Sequence, residues 1–271
     1  MKPPRRQTFV GVSSSGTGLQ PCVGVTRRGT GLQPCVGKAL LAVVLAVIAA
    51  AGLRAGVEPQ TVVFSAKDGV RVTGSLYLPD ARPAPAVLLL HMMSRSRADW
   101  DATGQKLAEA GIAALAIDFR RGGAPATDAR GGEDLLDLVL DAEAARAYLN
   151  ARPEIARGRI GILGASVGGS VAALVAANEA SVRSLALLSP SLDYRNLRIE
   201  TAIRKYGGRP ALLVASSEDP YALRSARAMV SMGDGTRDLR VLSGAGHGTL
   251  MLGREPELVL TLVDWFVRTL L

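Results

Sequence analysis

The chain alternates short apolar runs with longer stretches whose apolar residues recur every three or four positions. Thr61 to Ser65 and Val70 to Leu78 alternate apolar and polar side chains, the period of a strand with one buried face. Lys67-Asp-Gly69 between them provides the turn of a β-hairpin. Ala86 to Leu90 is apolar throughout and of strand length, which marks a strand covered on both faces. Ile112 to Ile117 and Ile160 to Leu163 read the same way, and Arg183 to Leu188, Ala211 to Ala215 and Leu239 to Leu242 supply three more strands. Helical stretches occupy the intervals: Ala98 to Ala110, Glu133 to Leu149, Ser170 to Ala177, Tyr221 to Met232 and a closing Leu258 to Leu270. Strands alternating with helices imply βαβ units with right-handed crossovers. The fold class is therefore α/β: a mostly parallel, twisted sheet with helices on both faces and an antiparallel hairpin at its leading edge. The segment from Asp118 to Gly132 reads as a Gly/Pro/Ala-rich loop, and residues 192–209 as irregular and basic. No Gly/Pro/Ser-rich linker interrupts the pattern, so residues 57–271 are expected to form one domain.

Composition changes the picture at the amino-terminal end. The 271 residues carry 32 Lys and Arg against 24 Asp and Glu, a net charge of +8. Seven of the basic residues, and no acidic one, lie within residues 1–55; the remainder is close to neutral, and no nucleic-acid partner is expected. Residues 1–37 contain an exact repeat, Gly16-Thr-Gly-Leu-Gln-Pro-Cys-Val-Gly24 recurring as residues 29–37, too short for a solenoid and without helical or strand period. This stretch is expected to be disordered, or to be upstream sequence read from a misplaced start. Within residues 38–56, Lys38 precedes the apolar run Ala39 to Leu53, and small residues follow. That order resembles a secretory signal and is shorter than the ~20 residues that span a bilayer comfortably. Export to the periplasm or beyond is the expectation. An uncleaved anchor, with membrane contact through residues 38–54, is the alternative, and a cytoplasmic location follows if the leader is not functional. Both cysteines, Cys22 and Cys35, lie in the repeat, where no His or further Cys joins them as a metal ligand set. With 48% hydrophobic but only 4% aromatic residues, the core should consist of Ala, Val and Leu.

The chemistry concentrates at Gly164-Ala-Ser166-Val-Gly168. A buried strand enters this segment and a small-residue helix leaves it, with one serine at the apex. A nucleophile elbow needs that order: the turn lifts the hydroxyl clear of the backbone, and the flanking glycines let strand and helix pack without a Cβ clash. In a doubly wound sheet, ligands sit beyond the carboxyl ends of the strands. Reading those ends gives His91 after Leu90, Asp118 after Ile117, Ser166 after the elbow strand, Glu218 and Asp219 after the 211–215 strand, and His247 after Leu242. A nucleophile, an acid and a base thus fall at one end of one sheet, in the order Ser, Asp, His. The chain's two histidines lie on separate strand ends without an acidic cluster, so no metal set and no cofactor are expected.

The elbow, Ser217-Glu-Asp-Pro220 and Gly244-Ala-Gly-His-Gly248 resemble the α/β-hydrolases, most nearly the dienelactone-hydrolase-like and small serine esterase branch, over about residues 60–271. The resemblance implies the α/β-hydrolase fold, a small-molecule ester as substrate, and a catalytic Ser166, His247 and Asp219. Glu218 is the competing acid and Asp193 a distant third. It also implies an oxyanion hole from the backbone N–H groups of Val167 and Met93, with Met92 the second choice for the loop donor. His91, Met92, Trp100 and Tyr221 are candidate pocket residues; His91 is also placed to fix the oxyanion loop, and each of the others could equally be core. Three departures matter. Dienelactone hydrolases proper use cysteine at the elbow, where this chain has serine. The family's common His-Gly pair is His91-Met92 here, which narrows the oxyanion loop. Residues 189–209 are too few for a large helical lid, which favours small or peptide-like esters over long-chain lipids. A thioesterase or acylaminopeptidase-like hydrolase, or a non-catalytic binding protein on the same fold, are the alternatives.

Overall fold

The computed structural model describes residues 57–123 and 135–271. The expectations for residues 1–37 and 38–56, and those for residues 124–132 of the loop and the first two residues of the next helix, lie outside the described residues.

Ten strands and seven α-helices are described: β1 (Gln60–Ser65), β2 (Arg71–Tyr77), β3 (Ala84–Leu90), α1 (Asp101–Glu109), β4 (Ala113–Asp118), α2 (Asp137–Ala151), β5 (Ile155–Ala165), α3 (Val167–Asn178), β6 (Val182–Leu188), β7 (Asp193–Tyr194), β8 (Leu197–Arg198), α4 (Glu200–Tyr206), β9 (Ala211–Ser216), α5 (Pro220–Val230), β10 (Arg237–Leu242), α6 (Leu250–Arg254) and α7 (Glu257–Leu270). Eight strands form one sheet in the order β1-β2-β4-β3-β5-β6-β9-β10. β1 pairs antiparallel with β2, and β2 antiparallel with β4; every later pairing is parallel. The leading hairpin and the parallel body of the sheet thus match the apolar pattern.

The pleat explains why the central strands are apolar at every position. Ala86, Leu88 and Leu90 of β3 enter one core, while Val87 and Leu89 enter the other; β4 and β6 divide their side chains the same way. On the first face the sheet is covered by α2, α3, α4 and α5, through residues such as Leu138, Val171, Ile203 and Ala226. On the second it is covered by α1 and α7, through Leu107, Leu262, Trp265 and Phe266. The Trp265 indole N–H also donates to the Leu185 carbonyl at 2.9 Å, which pins α7 to β6.

Two differences from the sequence reading bear on the site. Residues 192–209 are not irregular: β7 and β8 form a two-stranded hairpin and α4 follows. Two-residue strands are too short to show a period, and α4 earns its place by burying Ala202, Ile203 and Tyr206 rather than by local preference. The stretch assigned to one helix from Ala98 begins instead as a 3₁₀ turn, Arg97–Trp100, before α1.

Candidate active site

Three pieces of backbone converge at the elbow. β5 ends at Ala165, α3 begins at Val167, and Ser166 between them adopts φ 51° and ψ −117°. A non-glycine residue there carries strain on the order of 1–3 kcal/mol. The Ser166 N–H donates to the Leu188 carbonyl at 2.9 Å, which helps to hold the turn in place. The glycines are required by contact: a Cβ on Gly164 would sit 2.3 Å from the Gly168 carbonyl oxygen, and one on Gly168 would sit 2.4 Å from that of Leu90. The same crowding brings the end of β3, and with it the loop after His91, against the elbow.

Ser166 Oγ lies 2.8 Å from His247 Nε2, and His247 Nδ1 lies 2.6 Å from Asp219 Oδ2. The second carboxylate oxygen of Asp219 accepts from the Ala222 N–H at 3.1 Å, capping α5, whose first residue is Pro220. Asp219 is therefore fixed by its own helix before it meets the imidazole. His247 sits on a loop in which Gly244, Gly246 and Gly248 all have positive φ. The hydroxyl of Ser189 accepts from the Gly248 N–H at 2.9 Å, and Thr249 donates to Asp99, which in turn holds Arg95.

Glu218, the competing acid, faces away from the imidazole. Its carboxylate accepts from Ser216 Oγ (2.5 Å), Ser217 Oγ (2.8 Å) and the Gly244 N–H (2.7 Å). The bond from Ser216, with those from Ser217 and Gly244, holds its carboxyl down at about 2. Ser216 Oγ also accepts from the N–H groups of Ala245 and Gly246. Glu218 and Ser216 together brace the acid loop against the histidine loop. Asp193 pairs instead with Arg198 at 3.0 Å.

Ser166, Asp219 and His247 open onto a cavity of about 360 Å³, near the small end of the ~300–1,000 Å³ typical of ligand pockets. Met92, Met93 and Tyr221 line it. Trp100 does not: its side chain is fully buried in the core beneath α1 and α7, and its assignment to the pocket is corrected. His91 is likewise fully buried and touches no pocket space. The Phe119 N–H donates to His91 Nε2 at 3.0 Å, so the ring proton sits on Nδ1 and donates to the Met92 carbonyl at 2.7 Å. Burial pushes the imidazole pKa down and keeps it neutral. With the Met92 carbonyl turned toward His91, the trans peptide aims the Met93 N–H the other way. Val167 is the first residue of α3, so its N–H has no carbonyl partner within the helix. The pocket residues that sequence reading missed are Ser189, Pro190, Ser191, Tyr194 and Ala222. Ser189 to Ser191 follow β6 directly, so the strand-end rule applied to that strand would have found them.

A larger cavity of about 640 Å³ lies by the amino ends of β6 and β9 and the end of α7, lined by Arg159, Arg183, Arg209 and Arg268. Arg209 spends its guanidinium on the Ala176, Glu179 and Val182 carbonyls, and none of the strand-end residues reaches this cavity. Among the described residues no group of three or more His, Cys, Asp and Glu is placed to hold a metal ion, and no helix is long and apolar enough to cross a membrane.

An eight-stranded sheet of this order, with a serine elbow at the end of β5 and a histidine beyond β10, defines an α/β-hydrolase. The dienelactone hydrolase family model matches residues 72–255, so the chain belongs to that family and is a hydrolase acting on ester bonds. Solved structures agree in fold. The dienelactone hydrolase from Anabaena variabilis ATCC 29413 is 22% identical, with 79% of this chain and 100% of that chain covered and a TM-score of 0.61. The esterase domain of a Rhodothermus marinus protein is also 22% identical, over 79% and 100% of the two chains, with a TM-score of 0.61. Est1E from Butyrivibrio proteoclasticus is 17% identical over 78% and 100%, with a TM-score of 0.62. A comparison with curated proteins yields no match.

Proposed function

We propose that the protein is a serine esterase that cleaves small carboxylic esters through an acyl-enzyme on Ser166. The observation that carries this reading is the unbroken hydrogen-bonded chain from Ser166 through His247 to Asp219. A serine hydroxyl is a weak nucleophile at its free pKa and needs an adjacent base. His247 Nε2 takes the proton as Oγ attacks the ester carbonyl. Asp219 holds the imidazole with its proton on Nδ1 and stabilises the imidazolium that forms. The developing oxyanion is received by the N–H groups of Val167 and Met93, each such donor typically worth ~3 kcal/mol of barrier. His247 then protonates the departing alcohol, and water, activated by the same imidazole, releases the acid. The half-exposed His247 leaves a route for that water. The short β7–β8 hairpin over a pocket of this volume supports small substrates rather than long acyl chains.

A fluorophosphonate probe should label Ser166 in the folded protein, and Ser166→Ala should lower esterase kcat by at least about a thousandfold. A loss below tenfold in a well-folded variant would refute the assigned nucleophile.

A further inference from the structure

The two loops that flank Ser166 are tied together through one side chain, Asp99. In the first loop, the Arg95 N–H donates to the Met92 carbonyl at 3.3 Å, closing a turn over Met93, and the Ser94 N–H donates to the Gly122 carbonyl at 2.8 Å. The Arg95 side chain then reaches Asp99: its Nε donates to Asp99 Oδ2 at 2.8 Å, and a terminal nitrogen donates to Oδ1 at 2.6 Å. In the second loop, Thr249, two residues after His247, donates its hydroxyl to the same Asp99 Oδ2. Asp99 stands on a fixed base, the 3₁₀ turn Arg97–Trp100, whose last residue is fully buried in the core. Its side chain is 11% exposed, and Thr249 is buried, so water competes little for these bonds. Hydrogen bonds to a carboxylate are roughly twice as strong as neutral ones, and a forked arginine pair fixes direction as well as distance. Among the described residues, no other side chain hydrogen-bonds to both Met92–Arg95 and His247–Thr249.

We propose that Asp99 is a positioning residue for ester hydrolysis: its carboxylate holds the Met93 N–H and the His247 imidazole in one relation to Ser166. This inference rests on Ser166 being the nucleophile. Each loop needs such a tie for its own reason. The histidine loop has positive φ at Gly244, Gly246 and Gly248, and glycine imposes no conformation of its own. In the other loop Ser94 holds φ 58°, which a serine keeps only when its surroundings impose it. The loops also touch directly, since a Cβ on Gly248 would sit 2.4 Å from Met92 Sδ, but a flexible thioether against a glycine sets no direction. The bonds of Asp99 do. A misplacement of about 1 Å in a donor or base costs on the order of a hundredfold in rate. Neither Arg95, Asp99 nor Thr249 lines the cavity, so loss of the tie should lower kcat while KM stays nearly constant.

The test is a double-mutant cycle read in activity. Arg95→Ala breaks the tie on the oxyanion side, Thr249→Val breaks it on the histidine side, and Asp99→Ala removes it. Two rates are measured for each: hydrolysis of p-nitrophenyl acetate, and labelling of Ser166 by a fluorophosphonate, which uses the same base and oxyanion donors. Each variant should lose about ten- to hundredfold in kcat and in labelling rate, with KM within about threefold of wild type. The double variant Arg95→Ala/Thr249→Val should lose no more than the worse single, because one break already parts the loops; two unrelated local roles would multiply. Thr249→Ser, which keeps the hydroxyl, should recover most of the rate. Urea midpoints show which variants are folded, and where Asp99→Ala is not, the cycle and the Thr249→Ser rescue decide. Losses below tenfold in folded Asp99→Ala or Thr249→Val, or losses that multiply in the double variant, overturn the role of Asp99 while wild-type labelling leaves the nucleophile standing. A wild type that neither labels nor cleaves overturns the nucleophile and this inference with it.

Discussion

Two adjacent carboxylates, Glu218 and Asp219, do different work because the backbone turns between them. Asp219 caps α5 and faces His247, while Glu218 reaches back to Ser216, Ser217 and the Gly244 N–H. Removing the charge from each should separate the roles. Asp219→Asn should reduce kcat by roughly ten-thousandfold, because the amide favours the wrong imidazole tautomer. Glu218→Gln should cost less than about tenfold in kcat while lowering stability. The depressed Glu218 carboxyl contributes stability that is present above its unfolded value near 4.5 and is lost as pH falls from there toward 2. Glu218→Gln should therefore flatten the acid limb of an unfolding-midpoint profile; an unchanged limb would count against the brace. The sequence placed both acids at one strand end, and Pro220 favoured Asp219. Which side chain faced the histidine depended on partners supplied by Gly244 and Ser216, from other segments, which no local pattern displays.

At the level of elements, legibility followed periodicity. Strands buried on both faces and the long amphipathic α7 announced themselves, whereas β7, β8, α4 and the short α6 did not. Their stability comes from what they cover, not from their own sequence. The helix after the elbow is an intermediate case, because its small residues pack against the sheet without a clear stripe. Its far end is secured by Arg209, whose guanidinium reaches the Ala176, Glu179 and Val182 carbonyls and lies 4.1 Å from the Tyr206 ring centre. A lysine cannot reproduce that fork. Arg209→Lys should destabilise the fold by about 2 kcal/mol, read as a lower urea midpoint, with little change in KM. At the other end of the same helix, Gly168→Ala should cost about 1–3 kcal/mol, since its Cβ meets backbone that cannot step aside. Thermal unfolding checks both, and a Gly168→Ala protein as stable as wild type would contradict the packing at the elbow.

For the molecule as a whole, His91 links the site to global stability. Its neutral ring accepts from Phe119 and donates to Met92; protonation would set two donors face to face. Burial lowers its folded pKa, opposed by the charges of Asp118 and Asp99, so the unfolded chain binds the extra proton first. The stability His91 provides is complete above the unfolded value of 6.5 and declines as pH drops below it, by up to about 1.4 kcal/mol per pH unit. His91→Gln, whose amide both donates and accepts, should remove that slope from urea midpoints measured between about pH 5 and 7. A slope equal to that of the wild type would assign the effect to other groups. The hairpin of β7 and β8 carries a different consequence. It is held over the pocket in part by the bond between Tyr221 and the Asp193 carbonyl, and it adds no strand to the main sheet. Lineages or laboratories that lengthen this six-residue segment can therefore rewrite which esters enter while the frame beneath it stays as it is.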